Sequence, residues 1–385
     1  MAKTNPQLAL AGGGPPRLVD VGSRDYEGTR LALLLASKGK GLVSPNPLVG
    51  CLIESADGRH IGEGTYIYDG ITHAEVIALE QAGEDALGGT AYVSLEPHSH
   101  HGKTPPCTQA LIDAGIKRVV CPIEDPNPLV SGRGFEELRN AGVEVVTGIL
   151  ADEASKENEK FICWHKKQRP FVHLKLAMSL DGRISVDNSV STALSGVAAL
   201  LCVHLLRHEY DAILIGANTA VVDDPSLTDR SSLPRRRPLV RVVLDNTLRI
   251  SPDSKLVTTA NQTPTLVFTN SRDQQKIAAL RERKVDVVES SIGGRDLALV
   301  LAELKKRDIQ SVLVEGGSEI AGSFVDTRLV DKVTFIVSPM IIGGREAPNA
   351  VCGAGADSLT DALRLTDISV DRRGDDIEIT GYPQA

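Results

Sequence analysis

Aromatic side chains are scarce in this chain: Trp, Tyr and Phe together make up 3% of its 385 residues. Single-stranded nucleic acid is held by aromatic platforms set in a basic groove. The formal charge of −8 removes the basic groove as well, so nucleic acid is not an expected partner. A small anionic substrate remains compatible, because it needs only a local basic pocket. The six cysteines (Cys51, Cys107, Cys121, Cys163, Cys202 and Cys352) lack the dense spacing of a disulfide-stapled secreted domain. No stretch is apolar for long enough to span a bilayer, and the N-terminus lacks the apolar core of a signal peptide. These absences predict a cytoplasmic protein with no membrane partner.

What is present is an ordinary globular composition, 42% hydrophobic and 24% charged, over a length that suits two hydrophobic cores. Residues 1–23, with the run Ala11-Gly12-Gly13-Gly14-Pro15-Pro16, read as a flexible tail. From Arg24 helices alternate with short strands: helix over 26–38, strand over 48–54, helix over 74–82, strand over 91–95, helix over 108–114, strand over 117–122. Residues 24–150 thus form a first α/β domain. Polar, helix-compatible residues 151–169 read as a linker helix that ends at Pro170. Alternation then restarts, with strands over 171–177, 212–216, 239–244, 265–268 and 311–314 and helices over 196–207, 273–283 and 296–306. Residues 170–385 form a second α/β domain, and the halves share no repeat.

The first half carries a metal-site pattern. His73-Ala74-Glu75 opens a helix, and Glu96-Pro97-His98-Ser99-His100-His101-Gly102-Lys103-Thr104-Pro105-Pro106-Cys107 links a strand to another helix. In zinc deaminases a His from H-x-E and two later cysteines bind the metal, and the Glu shuttles protons. Here His98 stands where the first cysteine belongs. Neutral imidazole is a good zinc ligand, so the expected set is His73, His98 and Cys107, with His100 and His101 close by as alternative donors. Taken singly, His73 would more often be a helix cap and Cys107 a small buried hydrophobe; their joint occurrence in this context favours metal.

With Ser44-Pro45-Asn46-Pro47, Val49-Gly50 and Asp125-Pro126-Asn127-Pro128 added, this half resembles the deaminase half of the RibD family of bifunctional riboflavin biosynthesis proteins. The resemblance implies a cytidine-deaminase-like α/β/α domain, Glu75 as catalytic residue, and Asn46, His100 and Lys103 holding the aminopyrimidine and its ribose phosphate. Tyr66 departs from the family, which often has histidine there.

The second half has no G-x-G-x-x-G after its first strand, so a Rossmann domain lacks its main support. A strand at Val312-Leu313-Val314 does run through Glu315-Gly316-Gly317 into a helix, whose start suits a phosphate. Together with Leu174-Lys175-Leu176, Ser179-Leu180-Asp181-Gly182-Arg183, Gly216, Thr219, Asp223-Asp224-Pro225, Leu227 and Thr228, it resembles the reductase half of the same family, with a dihydrofolate-reductase-like α/β fold. By that resemblance Thr219, Asp223, Gly317, Ser318, Glu319, Ile320, Ala321, Gly322 and Ser323 contact NADPH, and Ser191, Arg207, Leu227, Arg230 and Glu315 face the substrate. Arg207 and Arg230 suit a ribose phosphate, and Asp223 and Glu315 are the candidate acids by position. Arg235-Arg236-Arg237, between two prolines, reads first as a solvated loop and second as a phosphate-binding patch. Ala193 and Leu200 depart from a family tryptophan and arginine.

The implied activity is zinc-dependent deamination of 2,5-diamino-6-(5-phosphoribosylamino)pyrimidin-4-one, followed by NADPH-dependent reduction of the ribosyl group to ribityl, in a homo-oligomer. One alternative is a reductase alone, its deaminase half degenerate at His98; another is a non-catalytic nucleotide-binding protein.

Overall fold

The structure, a computed structural model, describes residues 7–11, 17–19, 21–100, 105–190 and 192–384. It divides into two compact units, residues 1–168 and 169–385.

The first unit is built on a seven-stranded sheet. Its strands are β1 (Gln7–Ala11), β2 (Arg17–Val19), β3 (Gly50–Glu54), β4 (His60–Thr65), β5 (Thr90–Val93), β6 (Arg118–Cys121) and β7 (Glu144–Thr147), in the order β2-β1-β7-β6-β5-β3-β4. β5, β6 and β7 run parallel, and β3 pairs antiparallel with β4 and β5. The helices are α1 (Arg24–Ser37), α2 (Ala74–Ala82), α3 (Cys107–Asp113), α4 (Arg133–Asn140), α5 (Ala151–Glu157) and α6 (Glu159–Lys166). Two buried clusters flank the sheet: Ile53, Ala78, Val93, Leu111 and Phe135 belong to one, and Leu35, Leu52, Tyr92 and Ile149 to the other.

Two readings of the sequence change here. Residues 1–23 are not simply a tail, because β1 pairs antiparallel with both β7 and β2. The Gly/Pro run reads as coil, whereas the strand before it adds to the edge of β7, whose backbone groups offer a template, and the strand after it pairs with β1 in turn. Residues 151–169 are not one linker helix but two short helices belonging to the first unit. Asn158 separates them; its buried side chain bonds the Leu48 backbone in both directions, donating to the carbonyl and accepting from the N–H at 2.9 Å each.

The second unit has a nine-stranded sheet. Its elements in chain order are β8 (Phe171–Ser179), α7 (Val197–Glu209), β9 (Ala212–Gly216), α8 (Ala217–Val222), β10 (Val240–Leu244), α9 (Lys255–Thr258), β11 (Thr265–Thr269), α10 (Gln274–Glu282), β12 (Asp286–Glu289), α11 (Leu297–Lys306), β13 (Ser311–Val314), α12 (Ser318–Asp326), β14 (Lys332–Ser338), β15 (Leu365–Arg373) and β16 (Asp376–Pro383). The strand order is β12-β11-β10-β9-β13-β8-β14-β16-β15, parallel except where β16 pairs with β14 and β15. β9, β11 and β13 are buried along their whole length, as strands covered by helices on both faces must be. α10 and α11 start at Asp273 and Asp296, each accepting from the backbone N–H three residues on, which satisfies one of the orphan donors of the first turn.

Arg235 is not part of a solvated loop. Its guanidinium donates to the carbonyls of Arg207, His208 and Tyr210 at 2.7–2.8 Å, closing the C-terminus of α7, where a cation complements the helix dipole. Arg237 pairs with Asp211 at 3.1 Å. Among the described residues no helix is long and apolar enough to cross a membrane.

Candidate functional site

In the first unit the chemistry gathers at the start of α2. β4 lies so close to this helix that a Cβ on Gly62 or Gly64 would sit 2.0 or 1.9 Å from the carbonyl oxygens of Ala78 and Ala74. Glycine alone permits that approach, and it sets the depth of α2. His73 precedes the helix in extended conformation, and its side chain makes no capping bond. Its imidazole instead stacks on His98, ring centroids 4.3 Å apart. One donor atom each from His73, His98 and Cys107 lie within 4.8 Å of one another. The segment bearing His98 is tied to α3, because Thr108 N donates to the His98 carbonyl at 3.3 Å and the Thr108 hydroxyl bonds Glu137 at 2.8 Å.

Glu75, in the first turn of α2, is buried, and its Oε2 has no hydrogen-bond partner among the described residues. Burial pushes its carboxyl above the usual range, against the pull of His73. Burial likewise pushes the Cys107 thiol well up, helped by the Glu75 carboxylate beside it. A buried carboxylate with one oxygen unbonded, beside a buried thiol that faces two imidazoles, is a poor arrangement without a cation and a good one with it, since a dication reverses both preferences. The residues therefore fit zinc.

A cavity of about 70 Å³ opens beside them, lined by Asn46, Tyr66, His73, Glu75, His98 and Asp125 among others. Asn46 Nδ2 donates to Tyr66 Oη at 2.7 Å. Glu96 accepts from the backbone N–H groups of Asp125, Gly132 and Gly134 at 2.9–3.0 Å. Burial lifts the Asp125 carboxyl to about 6, with Glu96 adding to the lift and the Asn127 N–H opposing it. Tyr66, Glu96 and Asp125 were not assigned a site role from sequence, although Glu96 and Asp125 stand in motifs already singled out. His100 is exposed and meets His98 edge-on at 5.3 Å. Lys103 and His101 lie outside the described residues.

In the second unit a cavity of about 500 Å³ lies where β9 runs into α8 and where β13 runs through Gly316 and Gly317 into α12. Thr219, Asp223, Gly317, Ser318, Glu319 and Ile320 line it. Gly316 has φ of 111°, a conformation that favours glycine, so the chain turns sharply and aims the start of α12 at the cavity. First-turn N–H groups there have no intrahelical acceptor, and a pyrophosphate is what such a terminus receives. The remainder of the expected 317–323 segment points elsewhere. Ala321 is buried in the core, a Cβ on Gly322 would strike the Cys352 carbonyl oxygen at 1.4 Å, and the Ser323 hydroxyl donates to Glu319 O at 2.8 Å.

Two of the expected substrate residues, Arg207 and Glu315, meet in a charged cluster. Arg207 grips Glu315 with two bonds, 2.8 and 2.9 Å, and Lys175 Nζ stands 3.9 Å from the same carboxylate. Burial alone would raise the Glu315 carboxyl; Arg207 and Lys175 outweigh it and hold it below the ordinary range. Burial lowers Lys175 in turn, although Glu315 opposes that shift. His204 is lowered by burial and by the charges of Arg207 and Arg230. Arg230 is exposed, with Nε 3.3 Å from Thr228 Oγ1. Leu227 is buried in the apolar cluster around β10, and Ser191 lies outside the described residues. Sequence reasoning missed Lys175 and His204 as members of this cluster. A lysine flanked by Leu174 and Leu176 in the largely buried β8 was the available signal.

Comparison with known proteins agrees with this division. Residues 23–123 match the cytidine and deoxycytidylate deaminase zinc-binding region, and residues 170–379 match the RibD C-terminal domain. Riboflavin biosynthesis protein RibD of Actinobacillus pleuropneumoniae is 40% identical over 355 residues, 92% of this chain and 94% of its own. The RibD of Aquifex aeolicus is 39% identical over 350 residues, covering 91% and 96%. The solved structure of Acinetobacter baumannii RibD is 34% identical, with a TM-score of 0.82, over 94% of this chain and 99% of that one. A Thermotoga maritima protein described as a diaminohydroxyphosphoribosylaminopyrimidine deaminase/5-amino-6-(5-phosphoribosylamino)uracil reductase is 36% identical, with the same TM-score and coverage.

Proposed function

The chain belongs to the RibD family of bifunctional riboflavin biosynthesis proteins, and from that premise we propose how its residues divide two reactions between two sites. It is a zinc-dependent pyrimidine deaminase joined to an NADPH-dependent reductase. The first reaction replaces the amine of 2,5-diamino-6-(5-phosphoribosylamino)pyrimidin-4-one by oxygen and releases ammonia. The second reduces the ribosyl group to ribityl.

For deamination, His73, His98 and Cys107 hold the zinc, a reading supported by the convergence of their donor atoms to within 4.8 Å. Zinc supplies a Lewis acid that makes water acidic near neutrality. Glu75 takes one proton of the attacking water and delivers it to the ring nitrogen, then takes the second from the added hydroxyl and delivers it to the leaving amine, so that a carbonyl forms as ammonia leaves. Asn46, fixed by Tyr66, and Asp125 contact the pyrimidine, with His100 and Lys103 on the ribose phosphate side. For reduction, NADPH supplies hydride to the first carbon of the opened ribose. Thr219, Asp223 and the start of α12 hold the cofactor, while Arg207 and Arg230 face the substrate phosphate. Lys175, Glu315 and Arg207 form a buried network of two cations and one carboxylate, able to orient the sugar and move a proton.

The observation that carries the deaminase reading is the three-donor cluster beside the buried Glu75, whose Oε2 is left without a hydrogen bond. Purified protein should hold about one zinc per chain and release ammonia from the diaminopyrimidine. Protein that binds no transition metal when zinc is supplied overturns it.

The assembly we infer is a homo-oligomer. Val197, Leu201 and Leu205 on α7 and Ile368 and Val370 on β15 leave large apolar side chains exposed in one unit, which supports burial against another copy. Sedimentation that finds only monomer at micromolar concentration would count against it. All six cysteines are thiols, which supports the reducing cytoplasm as the compartment.

A further inference from the structure

NADPH differs from NADH by a single phosphate on the adenosine ribose, and a site that prefers NADPH must meet that dianion with a cation. The 500 Å³ cavity does not do so from its walls. Its charged lining residues among those described are Asp187, Asp223 and Glu319, all acidic. Three carboxylates repel a phosphate, so the cation has to reach in from the rim.

Arg249 is in position to do this. It follows β10 in a turn whose backbone is well held: Leu248 and Ile250 on either side are buried, and Asp245 Oδ2 accepts from Ile250 N at 2.8 Å. Between these two anchors Arg249 is exposed. Its Nη2 donates to Asn218 Oδ1 at 3.3 Å, and Asn218 lines the cavity. Asn218 is steadied from its other end, donating through Nδ2 to Asn188 O at 3.3 Å. Among the described residues Arg249 has no acidic partner, so most of its five donors remain available. Other nearby cations are already engaged: Arg183 donates to Ala347 O and Asn349 Oδ1, and Arg207 and Lys175 face Glu315.

We propose that Arg249 reads the 2′-phosphate of NADPH and sets the preference of the reductase for NADPH over NADH. This rests on reading the second unit as an NADPH reductase. A planar guanidinium matches phosphate through paired bonds, and Arg249 reaches the cavity only through Asn218 at its edge.

The test is equilibrium binding to the full-length protein, with no turnover: NADPH, NADH and adenosine 2′,5′-bisphosphate, titrated by calorimetry. Arg249→Gln should weaken NADPH and the bisphosphate about tenfold or more, as expected for loss of a charge-assisted contact, and leave NADH within about twofold. Arg249→Lys, which keeps the charge, should restore part of the loss. Unmodified protein that prefers NADPH while Arg249→Gln prefers it equally overturns this proposal alone. The same holds if NADPH and NADH weaken in parallel. Unmodified protein that binds neither dinucleotide overturns the reductase reading and this inference with it.

Discussion

Replacing a thiolate by an imidazole at position 98 changes charge as well as size. A zinc held by His73, His98 and Cys107 carries one more positive charge than one held by a histidine and two thiolates, and its water should be more acidic. The stacking of His73 on His98 shows how the longer ring is accommodated. A second residue-scale consequence lies in the buried pair of Arg207 and Glu315. Because Glu315 is held below its unfolded value, the pair contributes stability above the ordinary carboxylate pKa and loses it as pH falls through the folded value. Arg207→Met strands a buried carboxylate with only Lys175 nearby, which should cost about 3 kcal/mol near neutral pH. The deficit should shrink towards pH 5, where the stranded carboxyl can take a proton. Hydrogen exchange of the β13 amides at pH 8 and pH 5, corrected for intrinsic rates, measures it; an equal deficit at both would show that lost packing, not charge, is responsible.

At the scale of elements, what was legible in the sequence depended on burial. β9, and β13 after its first residue Ser311, are apolar, and the strands expected over 212–216 and 311–314 are the strands observed. β15 was unreadable for the opposite reason: it lies at the sheet edge with seven of its nine residues exposed, so neither alternation nor an apolar run marks it. β4 was missed because Gly62 and Gly64 weaken any strand pattern, and their purpose appears only when α2 is seen against them. That contact yields a prediction. In Gly64→Ala the new Cβ meets a backbone carbonyl, which cannot rotate away, so α2 must shift and carry Glu75 with it. The expected cost is about 1–3 kcal/mol together with weaker zinc retention, read by thermal unfolding and by zinc loss to a chelator. Unchanged values for both would mean that the β4–α2 spacing does not set the metal site.

The three-donor cluster and the start of α12 were legible because their residues stand in short motifs at element junctions, whereas Leu227 and residues 321–323 are turned elsewhere by the packing around them, and Lys175 and Asn218 take their places only through the fold of the sheet. The three-donor cluster and the 500 Å³ cavity belong to different compact units with separate apolar clusters, and either reaction should be able to fail while the other continues. Glu75→Gln removes the proton-carrying carboxylate and no zinc donor. Zinc content should hold while ammonia release falls by about 10²-fold or more. Supplied with already deaminated substrate, this variant should oxidise NADPH at nearly the unmodified rate. Asp223 lines the cavity at the C-terminus of α8, so Asp223→Ala should give the reverse: ammonia release intact and NADPH oxidation impaired. Paired assays of the two variants decide the matter. If folded Glu75→Gln protein no longer oxidises NADPH on the deaminated substrate, the two sites do not work separately. If unmodified, zinc-loaded protein reduces that substrate but releases no ammonia, the deaminase half is inactive and the histidine at position 98 is the first residue to exchange.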